Sequence, residues 1–318
     1  MVETILSALS PVVVTLLLGF VAAWRHDFGT KDATVLNRMV LLYAVPIALF
    51  VGTVGTPRSD LVQDIAFAIA IGVAIIGVYG LAFLLFRFVF SFPLTESVLA
   101  ALTASAPAAP FMGTAILGDL FGKASAVSIA IASLVINLVV VPVTILGIGL
   151  GTTSVASISH SSPHSAFAEK LFETAKQPMV WAPLLAFALV LCNVNIPPIL
   201  RHGLSLLGQA SSGVALFASG VMLAGYKISI DRDVVLLVMF KNILQPALLL
   251  GGLLWLGYGG PIIPKAVLTT AIPVMPIVIV LAVQYHVSEA RASSALFLSL
   301  VGSIFTMGIF IALTRQVT

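Results

Sequence analysis

Residues 103–114 read TASAPAAPFMGT and residues 269–280 read TTAIPVMPIVIV, so the same Pro-x-x-Pro pair recurs inside two apolar segments. Each proline lacks a backbone N–H and clashes with the carbonyl four residues earlier, so a helix carrying two of them is expected to break. Lipid cannot bind the backbone groups freed at such a break, which must therefore face protein or a wet cavity. Matching interruptions in the two halves of a chain are typical of a secondary transporter's binding site.

The composition predicts an all-α polytopic membrane protein. Of the 318 residues, 60% are hydrophobic and 8% are charged, and the mean hydropathy is +1.16, whereas a soluble domain carries about 25% charged residues. A spanning helix needs about 20 mainly apolar residues. The sequence predicts ten such spans, at 5–24, 39–54, 65–86, 97–120, 125–150, 178–194, 204–226, 234–256, 265–284 and 292–313.

Three short matches at a nearly constant spacing predict that the two halves are repeats. The proline pairs are offset by 166 residues, Ser-Leu-Val at 133–135 recurs at 299–301 with the same offset, and Ala-Leu-Phe at 48–50 recurs 167 residues later. Each half holds five predicted spans, and an odd number makes the second half enter the membrane from the opposite side. We therefore expect a 5+5 inverted repeat with broken crossover helices 4 and 9.

A hydrophilic stretch at 152–177 separates the predicted repeats, 1–151 and 178–318. Its first part is rich in small polar residues, as in a flexible linker. Its second part, AFAEKLFETAK, places Phe167 and Leu171 near one face, which predicts a short amphipathic helix at the cytoplasmic surface.

The lysine and arginine positions predict the orientation. Cytoplasmic loops of membrane proteins carry an excess of these residues. With both termini outside, the inner loops receive nine basic residues: Arg25, Lys31, Arg38, Arg87, Lys170, Lys176, Lys227, Arg232 and Arg291. The outer ends receive five: Arg58, Lys123, Arg201, Lys265 and Arg315. The sequence therefore predicts that both termini lie outside.

Other function classes lack the residues that their chemistry needs. Cys192 is a single cysteine, and the sequence has neither a metal-ligand cluster nor an HExxH motif or nucleophile–base pair for an intramembrane enzyme. No metal, cofactor or catalytic activity is therefore expected. A channel would need polar rings along a pore, and no basic run with interleaved aromatics indicates nucleic acid.

Four stretches resemble one known family. SAPAAPFMGTAILGDLFGKAS at 105–125 resembles the fourth-helix signature of the auxin efflux carrier family, VLNRMVLLYAVPIALFVG at 35–52 its second helix, AKQPMVWAPLLAFALVL at 175–191 its sixth-helix entry, and KNILQPALLL at 241–250 its eighth helix. The resemblance covers nearly the whole chain. Many members have an asparagine before a Gly-Phe-x-Gly in helix 4, where this chain has Ala108 and Pro110.

The resemblance implies the crossover fold shared with bile-acid and sodium–proton transporters, in which a core moves against a scaffold. It also implies a permease of a bacterial inner membrane that moves a small organic anion, such as a malonate-like dicarboxylate, by elevator-type alternating access. A sodium-coupled organic-anion symporter of the same fold is the alternative. The substrate, proton or sodium coupling, the direction of transport and assembly as a homodimer stay open.

The predicted substrate site surrounds the two proline pairs. Helix N-termini carry partial positive charge and free N–H groups that bind anions. We expect such donors from Ala108, Ala109, Phe111 and Met112, and from Val274, Met275, Ile277 and Val278. The candidate site residues are Thr103, Ser105, Pro107, Ala108, Ala109, Pro110, Phe111, Asn137, Lys241, Thr269, Pro273, Val274, Met275, Pro276 and Ile277.

Several candidates have a second interpretation. Lys241 lies seven residues after Val234, about 10 Å inside its helix at 1.5 Å per residue. Its charge either draws an anion toward the crossover or snorkels to the headgroups. Asn137 either reaches the cavity or bonds a neighbouring helix. The hydroxyls of Thr103 and Thr269 either line the site or bond their own turns.

Overall fold

The computed structural model describes residues 2–55, 65–122, 125–156, 176, 178–192, 194, 196–225 and 228–316, and every extended element of regular structure within them is a helix. The helices are α1 (Val2–Trp24), α2 (Thr30–Val54), α3 (65–89), α4a (Leu94–Ser105), α4b (Ala109–Phe121), α5 (125–156), α6 (Pro178–Leu191), α7 (Pro198–Gly225), α8 (Arg232–Trp255), α9a (Ile262–Ala271), α9b (Ile277–Tyr285) and α10 (Glu289–Arg315). We write α4 and α9 for the two broken helices taken whole.

Six of these helices are long and apolar enough to cross a membrane, namely α2, α3, α5, α7, α8 and α10. Their number confirms an all-helical, multi-pass architecture, while the 5+5 inverted repeat stays a prediction. The linker also stays a prediction: α5 continues through Ala156 into its first residues, and the predicted amphipathic helix lies outside the described residues.

The start of α2 differs from the prediction. We placed it at residue 39, but the helix begins at Thr30. Its first ten residues, TKDATVLNRM, are mostly polar, so a prediction based on runs of apolar residues misses them. They nevertheless form a helix. The side chain of Asp32 accepts a hydrogen bond from the N–H of Gly29 at 2.8 Å and so caps the first turn.

In α2, α5 and α8, a π-helical turn ends two residues before a proline. The turns are Val40–Ala44, Ile136–Val140 and Phe240–Leu244, and the prolines are Pro46, Pro142 and Pro246. A proline clashes with the carbonyl four residues earlier, and a wider turn with one extra residue relieves that clash. The turn also changes which side chains of the helix share a face.

The helices form two packed groups. In the first, α7 packs against α1 and α2, and α6 packs against α2. In the second, α3, α4a and α5 pack together, and α8, α9a and α10 pack together, with α9a also contacting α3, α4b and α5. The half-helices α4a and α9b are buried on nearly all sides, as expected for α9b, which is apolar all round.

The backbones of α1 and α7 touch at two glycines. A Cβ atom at Gly19 would lie 2.0 Å from the carbonyl oxygen of Phe217, and one at Gly220 would lie 2.0 Å from that of Leu16. Both obstacles are backbone atoms and cannot rotate away. Small residues at such contacts let membrane helices approach closely, so this contact fixes the spacing of the first group.

Gly220→Ala is therefore expected to destabilise the protein by about 2 kcal/mol or more, since an extra methyl group in a packed contact forces the backbones apart. Thermal unfolding of the purified protein in detergent measures the loss. Gly213→Ala is the matched control in the same helix, because no heavy atom would lie within 4 Å of its Cβ. Equal unfolding temperatures for the two variants would contradict the close contact.

Candidate functional site

The two proline breaks meet and pair as short extended segments. Pro107 and Val274 form an isolated antiparallel β-bridge. The N–H of Ala108 donates to the carbonyl of Pro273 at 2.9 Å, and the N–H of Met275 donates to the carbonyl of Ala106 at 3.1 Å. These residues are completely buried where their burial is described. The breaks thus form a closed crossover of α4 and α9.

This pairing corrects our list of free donors. The N–H groups of Ala108 and Met275 are used within the crossover, and that of Val274 donates to the hydroxyl of Ser299 at 3.0 Å. Those of Met112 and Val278 donate inside the first turns of α4b and α9b. The sequence cannot show this, because each break looks unpaired until the partner break lies beside it.

Among the described residues, the N–H groups of Ala109 and Ile277 have no acceptor. They belong to the first residues of α4b and α9b, where the helix dipole is positive. Pro110, the second residue of α4b, lacks an N–H altogether, and Pro276 precedes Ile277. The side chains of Pro110 and Phe111 lie outside the part of the chain whose side chains are described.

One face of α8 donates hydrogen bonds to the C-terminal ends of α4a and α9a, which lie on the other side of each break. Nζ of Lys241 donates to the carbonyl of Thr270 at 2.5 Å, near the end of α9a. Nε2 of Gln245 donates to the carbonyl of Ser105 at 2.7 Å, at the end of α4a. Carbonyls in the last turn of a helix lack intrahelical donors, so α8 supplies a donor to each half-helix.

A third residue of α8 connects the crossover to α10. The hydroxyl of Ser299 accepts a hydrogen bond from the N–H of Val274 and donates one to Oδ1 of Asn242 at 2.6 Å. Nδ2 of Asn242 donates in turn to the carbonyl of Ser299 at 2.8 Å. The π-helical turn before Pro246 lets Lys241, Asn242 and Gln245 reach the crossover together.

Lys241 does not snorkel in this structure. Its side chain is completely buried and its ammonium group points to Thr270 at the crossover. No carboxylate of the described residues lies within 4.0 Å of it. The sequence itself contains no Asp or Glu from 97 to 118 or from 234 to 288. The site therefore holds one buried lysine side chain without an acidic partner in these segments.

The hydroxyl candidates bond their own helices. Thr103 donates to the carbonyl of Leu99 at 2.8 Å, Ser105 to that of Ala101, and Thr269 to that of Lys265. This is the second of the two interpretations given for the threonines. Thr103 nevertheless borders a narrow cleft along α4a.

Asn137 lies away from the other candidates. It is buried in the π-helical turn of α5, which packs mainly against α3 and α6. Its Oδ1 has no hydrogen-bond partner among the described residues, so the interhelical bond left open by the sequence is not formed through this oxygen. The structure does not bring Asn137 to the crossover.

Arg291 closes the cleft beside Thr103. Its guanidinium binds Glu96 at 2.7 Å and lies 3.6 Å from Asp233 and 4.7 Å from the ring centre of Phe92. These contacts join the first turns of α4a, α8 and α10 at one end of the molecule. The arrangement requires these three helices to run in the same direction.

Sequence reasoning missed three polar residues as candidates: Asn37, Asn242 and Ser299. It does place Gln245 one turn deeper than Lys241, and Asn242 could have been found from its position next to Lys241 in an otherwise apolar span. Asn37 is 3% exposed, and neither atom of its amide has a partner among the described residues. It lies in α2, which packs against α7 and α9b.

Two comparisons with known proteins agree with this architecture. The sequence profile of a family described as "Membrane transport protein" matches residues 4–311. The chain is 31% identical over 314 residues, 98% of each sequence, to "Uncharacterized transporter YfdV" of Escherichia coli K12 and to the protein of that name from Shigella flexneri. Both relatives are named as transporters. The chain therefore belongs to the membrane transport protein family, and its resemblance to the auxin efflux carriers is confirmed.

Proposed function

We propose that the chain is a secondary transporter of a small organic anion, a carboxylate such as a malonate-like dicarboxylate. The observation that carries the proposal is the buried ammonium group of Lys241 at the crossover, with no described carboxylate within 4.0 Å. A buried charge is costly unless it is paired, and ionisable residues inside a membrane mark substrate paths. A substrate carboxylate supplies the missing negative charge.

The half-helices add a second attraction for an anion. The N–H groups of Ala109 and Ile277, unpartnered among the described residues, open α4b and α9b, where the helix dipole favours negative charge. Lys241 and these two helix ends converge on one crossover. The combination suits a ligand with two carboxylates better than one with a single charge.

Transport then proceeds by elevator-type alternating access in a 5+5 inverted repeat. The scaffold is α1, α2, α6 and α7, and the moving core is α3 to α5 with α8 to α10. The packing of the two groups supports this division. All described hydrogen bonds of Lys241, Asn242 and Gln245 to other helices are made within the core, so the site moves as one body.

We place the protein in a bacterial inner membrane with both termini outside. The Arg291 cluster supports the relative direction of the helices, because the starts of α4a, α8 and α10 share one end. In this orientation that end is cytoplasmic, as the excess of basic residues there suggests.

The proposal is tested by thermal unfolding of the detergent-purified protein in mono-, di- and tricarboxylates. A ligand that binds only the native state raises the unfolding temperature by mass action. We expect malonate or another short dicarboxylate to give the largest rise, and cationic and neutral compounds of similar size to give none. Equal responses to all compounds would overturn the assignment to organic anions.

Cysteine labelling is expected to report the movement. Ala108 and Val274 are completely buried, so a cysteine at either position, after exposed Cys192 is replaced by serine, should react slowly with a membrane-impermeant thiol reagent. A bound anion shifts the population between conformations and so changes the rate at both positions. A cysteine at exposed Leu256 is the control. Unchanged labelling at both sites, with transport intact, would contradict alternating access.

A further inference from the structure

We infer, on the basis of the proposed function, that the ammonium group of Lys241 takes the position a coupling cation would occupy, so that this transporter binds its anion without sodium. The alternative raised by the sequence, a sodium-coupled symporter, would need a cation at the crossover to offset the anion and the exposed carbonyls. The protein carries that cation as a side chain.

The buried end of α9a is where the positive charge is needed. Carbonyl groups in the last turn of a helix have no intrahelical donors and give that end a partial negative charge, which cations stabilise. α9a is buried from Ala266 to Ala271, so bulk water does not reach this end. Nζ of Lys241 lies 2.5 Å from the carbonyl oxygen of Thr270. The ammonium therefore provides the charge and the hydrogen bond at once.

Several other oxygen atoms at the crossover already accept hydrogen bonds. The carbonyl of Ser105 accepts a hydrogen bond from the amide of Gln245, and Oδ1 of Asn242 accepts one from the hydroxyl of Ser299. The carbonyl of Ala106 accepts one from the N–H of Met275. Among the described side-chain oxygens of this network, Oε1 of Gln245 is the one buried without a partner. Hard cations take about six oxygen ligands, so this one side-chain oxygen cannot hold sodium by itself.

The same ammonium also disfavours a second cation. Gln245 is one helical turn from Lys241 on α8, and two positive charges at that separation repel each other strongly in a buried site. No acidic residue occurs from 234 to 288 to offset this repulsion. The free Oε1 of Gln245 is instead positioned to accept a hydrogen bond from a protonated carboxyl or hydroxyl group of the substrate.

The first experiment compares sodium chloride with choline chloride at equal ionic strength. Thermal unfolding of the wild-type protein is followed during titration with malonate in each salt. We expect the dissociation constants of malonate in the two salts to agree within about twofold. Equal affinities give equal shifts in stability by mass action. Malonate binding that is tenfold or more tighter in sodium would overturn the inference.

The second experiment removes the side-chain cation. Lys241→Ala leaves the Thr270 carbonyl without its donor and opens space beside it. We expect sodium, compared with choline, to raise the unfolding temperature of Lys241→Ala but not that of the wild type or of Lys265→Ala, a matched lysine variant in α9a. An absence of any sodium effect on a folded Lys241→Ala protein would contradict the occupied cation position.

The two experiments separate the inference from the proposed function. If no carboxylate stabilises the wild-type protein, the substrate assignment fails, but the sodium comparison of the ligand-free variants still decides the role of Lys241. If Lys241→Ala does not fold, the wild-type titration in the two salts decides it alone. Sodium-dependent stability of the ligand-free wild type would also overturn the inference.

Discussion

Lys241→Gln is expected to lower malonate uptake into proteoliposomes about 100-fold. Removing one partner of a buried, hydrogen-bonded charge pair costs about 3 kcal/mol, and each 1.4 kcal/mol corresponds to a factor of about ten. Glutamine keeps much of the length of the side chain and can still donate to the Thr270 carbonyl, so the fold is preserved. The variant therefore removes the charge and little else.

The controls for this variant follow from the structure. Lys265→Gln makes the same chemical change near the start of α9a and should keep uptake near the wild-type rate. Lys241→Arg keeps the charge but replaces the compact ammonium group with a larger, planar guanidinium group, so intermediate uptake is expected. Wild-type uptake by Lys241→Gln, with wild-type malonate affinity, would show that the charge has no part in transport.

Pro107→Ala is expected to abolish uptake while the protein still folds. Alanine at 107 regains an N–H and loses the ring, so α4a can extend past Ser105 toward Pro110. This extension withdraws Ala106 and Ala108 from their hydrogen bonds with Met275 and Pro273. Helical bonds replace the lost ones at about 1 kcal/mol each, so stability changes little, but the crossover is lost.

The matching variant, Pro273→Ala, should have the same effect through α9. Pro198→Ala is the control, because Pro198 is the first residue of α7, where a helix needs no N–H from it. Uptake of radiolabelled malonate and the unfolding temperature are measured for each. Undiminished malonate affinity and uptake in Pro107→Ala, at normal yield and stability, would show that the crossover is not part of the substrate site.

The sequence predicts the breaks well because proline acts locally. The break in α4 at 106–108 and that in α9 at 272–276 follow from the ring and the missing N–H alone. Their pairing does not, since it depends on two segments 166 residues apart meeting in space. Our list of free donors was wrong at Ala108 and Met275 for that reason, and at Val274 because Ser299 of α10 lies beside it.

The partners of Lys241 illustrate the same limit. The sequence shows a lysine inside an apolar span and cannot decide whether it points to the headgroups or to the crossover. The decision depends on the π-helical turn at Phe240–Leu244, which rotates the side chain relative to an ideal helix. Pro246 indicates a distorted turn, but the direction in which Lys241 points depends on α4a and α9a lying beside it.

The attachment of Lys241 to the core makes the membrane potential act on the transport cycle. A core carrying a monocarboxylate and this ammonium is electrically neutral, whereas the empty core carries one positive charge across the field. Moving one charge through 100 mV is worth about 2.3 kcal/mol. In a cell with a negative interior, the proposed transporter therefore rests with its empty site facing the cytoplasm, and the voltage favours export of monovalent anions over their import.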